Sequence, residues 1–195
     1  MPHPDRPALD HLSSRRSYPA KLFNGPVPDR AETEAILRLA LRVPDHGKLE
    51  PWRLIVLDRP DMERLAGLAA ARAAELEADA ERTAKARGQY DLGQRAVVVI
   101  SAPVAQDKIP RAEQVLSAGA LCMNLLHAAT ASGWAANWLT GWPAHDPVFA
   151  ARAFGCAEGE TVAGIVHIGT PGPQAPDRPR PDLGRKVHWG LEGLA

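Results

Sequence analysis

Net charge is the first thing this sequence lacks: 23 lysines and arginines balance 23 aspartates and glutamates over 195 residues. With no basic excess there is no electrostatic case for nucleic acid or an anionic membrane as a partner. Cysteine is scarce too, and Cys122 and Cys156 stand far apart, in no CxxC or metal-ligand spacing. A disulfide scaffold and a Cys/His zinc site are thereby excluded. Cys122, flanked by Ala120, Leu121 and Met123, reads as a buried free thiol suited to a reducing compartment. No apolar run approaches bilayer length, and the opening MPHPDRPALDHL has no charged-then-apolar leader pattern. A soluble, cytoplasmic protein is expected. No two glycines lie two positions apart, so neither GxGxxG nor a P-loop can be written, and HExxH and GxSxG are absent. Rossmann nucleotide binding, a zinc enzyme and a serine hydrolase have nothing to stand on.

What is present is one domain's worth of chain, residues 1–195, with a proline-rich arm from about residue 171. The 18 prolines and 16 glycines place much of the chain in turns and extended connections. Pro7 to about Arg16 predicts a short helix with Ala8, Leu9 and Leu12 on one face, stopped before Tyr18-Pro19. It ends in Arg15-Arg16-Ser17, good donors for a phosphate or carboxylate; a solvated basic helix end is the plainer alternative. Asp29 caps a second helix whose stripe is Ala35, Ile36, Leu39, Ala40 and Val43. Pro44 stops it and opens PDHGKLEPW, a loop with two acids, an imidazole and a lysine ahead of the strand Leu54–Leu57. Polar groups on a loop pinned between rigid elements suit a binding site, although most such loops only connect.

Beyond that strand, Pro60 to about Arg87 predicts one long helix, its second half exposed or mobile. Arg95–Ser101 is a β-branched, buried strand. Pro110–Ala131 is apolar nearly all round and reads as a central, buried helix. Its small segment Ser117-Ala118-Gly119-Ala120 allows close approach of another helix or of a flat ligand. His127 on this helix reads as a satisfied core histidine. Trp134–Thr140 and Thr161–Ile168 are strands, and Asp146–Phe154 is a helix closed by Gly155. Alternating elements of this kind predict a three-layer α/β/α domain of the α+β class around a four- to five-stranded sheet.

Three stretches, RRS at 15–17, PDHGKLEPW at 44–52 and SGWAANWLTGW at 132–142, resemble in their order and separation the flavin-dependent nitroreductases. The PDH form of the loop and the short chain are most similar to the compact bacterial YdjA-type subgroup, as is Ser117-Ala118-Gly119. The resemblance spans about Leu12 to Pro171. It implies an FMN-binding α+β fold that works as an intertwined homodimer, with the flavin at the interface. By the same resemblance, Arg15, Arg16 and Ser17 hold the phosphate and ribityl, and Arg178 and Arg180 complete the phosphate site. His46 and Glu50 face the flavin from the second subunit. Trp138, Leu139 and Thr140, leading into Gly141, lie beside the isoalloxazine.

The commonest family loop reads PSSxNxQPW, so Asp45, His46 and Glu50 replace two serines and a glutamine. Pro19 stands where many members carry a lysine near the flavin's pyrimidine edge, leaving Lys48 or a protonated His46 to offset charge there. The implied activity is hydride transfer from NADH or NADPH through FMN to nitroaromatic or quinone-like acceptors, in ping-pong order. Alternatives are a flavin carrier with little turnover, or an oxidoreductase of the same fold with another reaction.

Overall fold

The computed structural model describes residues 5–23, 25–91, 93–106, 108–173 and 176–190. The first four residues, and Gln174 and Ala175 of the tail, lie outside them. The elements run α1 (Arg6–Ser14), α2 (Arg30–Ala40), β1 (Trp52–Leu57), α3 (Arg59–Glu75), α4 (Ala80–Asp91), β2 (Arg95–Ser101) and α5 (Arg111–Ala131). They continue as β3 (Ala135–Leu139), α6 (Trp142–His145), α7 (Pro147–Phe154), β4 (Thr161–Gly169) and α8 (Leu183–Lys186). The strands form one four-stranded sheet in the order β1-β2-β4-β3, every pair antiparallel. No helix among the described residues is long and apolar enough to cross a membrane.

Helices cover both faces of the sheet, which gives three layers of the α+β class. Ala96, Val98 and Ile100 of β2 enter one core with Met62 and Leu65 of α3, Tyr90 of α4 and Phe149 of α7. Val97 and Val99 enter the other with Ile36 of α2 and Leu121, Cys122 and Leu125 of α5. Burial on both faces is why β2 reads as a continuous apolar run although its pairing is antiparallel. Cys122 is buried and unpaired, as expected, and burial pushes its thiol up to about 12.

The helix expected over Pro60–Arg87 is instead two. Helix α3 closes with Leu76, Glu77 turns left-handed at φ 50°, and the N–H of Ala78 bonds back to the carbonyl of Ala73. Asp79 then caps α4, its carboxylate accepting from the N–H of Arg82 and its carbonyl from the hydroxyl of Thr83. The left-handed residue is a glutamate, so no glycine marks the break in the sequence. Nor is the second helix an exposed excursion: it packs on α3 and fully buries Ala86 and Tyr90. The other helix ends follow their signals. Asp29 and Glu32 form a reciprocal capping box, Asp146 caps α7, and Gly155 closes it at φ 60°.

Ion pairs lock the periphery. Arg72 of α3 grips Asp146 with two bonds of 3.0 Å each, and Arg53 of β1 grips Glu160 and the carbonyls of Phe154 and Gly155. His167 on β4 is different: it is fully buried, and neither ring nitrogen has a hydrogen-bond partner among the described residues. Burial alone drives its pKa down to about 4. The unfolded chain takes up that proton near pH 6.5, the folded chain only near pH 4, so this group favours folding fully above about 6.5 and less as pH falls. We predict a loss of about 3 kcal/mol in unfolding free energy between pH 7.5 and 4 from this residue. Urea titrations of wild type and His167→Leu at both pH values check it; an unchanged pH dependence in the variant would refute the assignment.

Candidate functional site

The predicted site residues fall into three groups, each positioned by a different element. The first gathers at the end of α1. Arg15 caps that helix, and the N–H of Tyr18 bonds the carbonyl of Ala136, fastening the following chain beside β3. Arg178 and Arg180 come from the C-terminal arm, which returns over this helix. Arg180 donates to the carbonyl of Ser13, and Asp177 lies 3.7 Å from Arg16. The four arginines line one small cavity of about 200 Å³. The Nη1 of Arg15 and the Nε of Arg16 are buried and make no hydrogen bond among the described residues. Burial, and then the neighbouring Arg16, lower the pKa of Arg15. An anion placed here would satisfy both donors and offset the repulsion between the guanidinium groups. Ser17 follows as an exposed residue.

The second group is the loop between α2 and β1. Gly47, Lys48 and Glu50 all take left-handed conformations, at φ 78°, 54° and 47°. Two of the three are not glycine, and such residues cluster at functional loops. The loop holds because Asp45 accepts from the N–H groups of Leu49 and Glu50 at 3.2 and 2.8 Å. Ser117 of α5 pins both ends, donating to the carbonyl of Pro44 at 2.8 Å and accepting from the indole of Trp52 at 3.2 Å. Gly47 packs so tightly that a Cβ there would stand 2.3 Å from Ile109. His46 is exposed, its Nδ1 2.7 Å from Glu113 in the first turn of α5. A protonated His46 therefore sits against a carboxylate and brings no net positive charge. Lys48 is exposed.

The third group ends β3. Trp138 lies across Gly164, where a Cβ would be 2.1 Å from its Nε1, and it donates to the carbonyl of Ala163 at 3.2 Å. Leu139 pairs with Ile165, and Thr140 is exposed. Beside Gly141 lies the amide of Gln89, a buried donor with no partner among the described residues.

These groups do not converge within the chain. The arginine end borders Thr130 and the His46 loop borders Ser117, near opposite ends of the same helix. Thirteen residues of helix separate those two positions by about 20 Å. Along the intervening face, no described residue beyond the helix's own backbone lies within 4 Å of where a Cβ of Gly119 would be. The small residue is thus not explained by packing inside the chain. Leu9, Leu12, Leu39 and Leu116 are exposed, Leu116 by 72 %. Helix α5 is therefore buried on one side only, short of the all-round burial its composition suggested.

The family model described as the nitroreductase family matches residues 12–170, most of the chain. The chain belongs to the nitroreductase family. It is 32 % identical over 164 residues to YdjA of Escherichia coli (strain K12), provisionally named an NAD(P)H nitroreductase, covering 84 % of this chain and 88 % of that one. Among solved structures, a nitroreductase-like family protein from Bacillus cereus superposes with a TM-score of 0.77 at 21 % identity, covering 99 % of this chain and 100 % of that one. A provisionally assigned nitroreductase from Desulfovibrio desulfuricans, solved in complex with FMN, does so with a TM-score of 0.73 at 17 % identity, covering 96 % and 98 %. The fold expected from the sequence is the fold of this family, and oxidoreductase chemistry is the family's class.

Two contributors had no family-like motif to reveal them: Glu113 was one charge among many at a helix start, and Gln89 lay in a stretch read as exposed. Asp45 stood in the loop motif, but nothing in the sequence showed its two backbone bonds. His127 also departs from expectation: it is half-buried at the surface of α5 and pairs with His11 rather than lying in the core. The loop's dependence on Gly47 is directly testable. Gly47→Ala combines a disfavoured backbone conformation with a clash on Ile109 and should cost about 1–3 kcal/mol. A thermal midpoint equal to wild type would show that the loop relaxes freely.

Proposed function

We propose that this protein is an FMN-dependent oxidoreductase that takes hydride from NADH or NADPH and reduces nitroaromatic or quinone-like acceptors. The observation that carries the reading is the arginine cavity, whose buried Arg15 Nη1 and Arg16 Nε lack partners among the described residues. Forked guanidinium donors suit a phosphate group, and the family membership makes a flavin phosphate the natural ligand. When bound, FMN would supply the two-electron chemistry between nicotinamide and acceptor. The chain's own work is binding, orientation and charge. Arg15, Arg16, Arg178 and Arg180 hold the phosphate, with Ser17 beside them. Trp138 to Gly141 offer backbone groups to the ring system, and the amide of Gln89 lies next to Gly141. His46, Glu50 and Lys48 present the polar edge of a second wall, where Glu113 balances His46. One exposed flavin face serving donor and acceptor in turn accounts for ping-pong kinetics without a Rossmann loop.

The working unit we infer is a homodimer. Arginines and the His46 loop lie about 20 Å apart along α5, so a single flavin touching both must lie between two copies of the chain. Exposed Leu9, Leu12, Leu39 and Leu116, with the bare helix surface at Gly119, support a partner on this face. The protein should therefore run as a dimer in light scattering at micromolar concentration; a monomer mass with flavin bound would defeat the shared site.

For the cofactor, purified protein should be yellow and should bleach on addition of NADH or NADPH, which also separates an enzyme from a flavin carrier. Arg15→Ala should retain FMN less well by about 1.5–3 kcal/mol, the worth of charge-assisted bonds. Equal flavin occupancy in the variant, read from released fluorescence, would remove Arg15 from the site.

A further inference from the structure

His127 plays no part in the reading above. It projects from α5 close to the arginine end, its Nδ1 3.2 Å from the Nε2 of His11 on α1, the two rings meeting edge-on. Helix α1 buries none of its residues. Among the described residues, the His11 contact is the only hydrogen bond from an α1 side chain to another element. The remaining polar attachments lie at or beyond its end, at the carbonyl of Ser13 and the N–H of Tyr18. The ring pair is thus the polar side-chain contact that fastens the body of the helix leading into Arg15 and Arg16.

Chemistry limits when that bond can exist. Of two paired imidazoles one must donate and the other accept, whereas two imidazolium rings can only donate. The charged groups acting on His127 are Arg15, at the cap of α1, and His11 of α1. Leu39 of α2 and Asn124 of α5 complete the neighbouring cleft, and no lining residue is acidic. Nothing there compensates a second proton.

We propose that His127 is a positioning residue for the arginine site: its hydrogen bond with His11 clasps α1 onto α5, and the clasp opens when both rings are protonated. The consequence for FMN rests on the phosphate reading of Arg15 and Arg16; the clasp itself does not. Burial, then Arg15 and His11, keep the pKa of His127 below the ordinary value, so opening belongs to the acid side of about pH 6.5.

Amide hydrogen exchange on the full-length, flavin-free protein tests this, read as protection factors at pH 7.5 and 5.0 in wild type, His127→Asn and His127→Ala. Asparagine keeps a carbonyl oxygen close to where Nδ1 stands and can accept from either form of His11. In wild type, α1 amides such as Leu9 and Arg15 should lose protection about fivefold at pH 5.0, the equivalent of one net hydrogen bond. His127→Asn should keep it at both pH values, and His127→Ala should lack it at both. Protection at Leu121 and Leu125 of α5 serves as the reference, so that global destabilisation at low pH is not mistaken for release of α1. Equal α1 protection in wild type at the two pH values, or the same loss in His127→Asn as in wild type, overturns the proposal. In a second measurement FMN should bind His127→Ala about fivefold more weakly than wild type at pH 7.5, with His127→Asn close to wild type. If none of the three proteins binds FMN, the cofactor reading falls, while the exchange data still decide the clasp.

Discussion

The packing of α5 onto the sheet is the constraint on which the rest depends. Leu121, Cys122, Leu125 and Ala129 lie fully buried in one core with Val97 and Val99 of β2 and Val166 and Ile168 of β4. A fully buried leucine stabilises by about 1.5–3 kcal/mol, so this face cannot rotate or slide without large loss. With the helix fixed, its first turns bring Glu113 and Ser117 to the loop, and its last turns bring Thr130 toward the arginines. Its length keeps those two ends apart. A 21-residue helix laid flat on a sheet is a spacer as much as a core element.

Charge follows the same axis. The C-terminal end of α5, where backbone carbonyls carry partial negative charge, faces Arg15 and Arg16. Its first turn carries Glu113, which suits the positive end of the dipole and neutralises a protonated His46. Positive charge is therefore concentrated at the arginine end, where half-buried Arg15 and Arg16 stand beside Arg178 and Arg180 with only Asp177 among the described residues to offset them. The loop end instead stores conformational strain, three left-handed residues held by Asp45 and Ser117. One end favours an anion, and the other presents a rigid polar edge with no net charge.

Much of the fold could be read from the chain because local chemistry dictates it. Asp29 with Glu32, Asp146 and Gly155 bound their helices through backbone hydrogen bonds made within a few residues. The continuous β-branched run of β2 marks a strand buried on both faces. The break at Glu77 escaped because a glutamate occupies the left-handed position, and the burial of Tyr90 escaped because α4 acquires its apolar surroundings only by folding back on α3. His127 sits in an apolar stretch that suggested a core place, yet α5 is covered on one side only, a property of the sheet and not of the helix.

The sequence by itself determined the four strands, most helix caps, the two arginines at a helix end, the loop and the family, since each is written in short stretches of adjacent residues. Tertiary structure alone decided that Arg180 donates to the carbonyl of Ser13, that Glu113 pairs with His46, that His11 meets His127, and that the two halves of the site stand about 20 Å apart along α5. Those are contacts between residues 67 to 167 positions apart, or distances set by a whole helix. No local propensity encodes them, because they exist only once the sheet has buried α5.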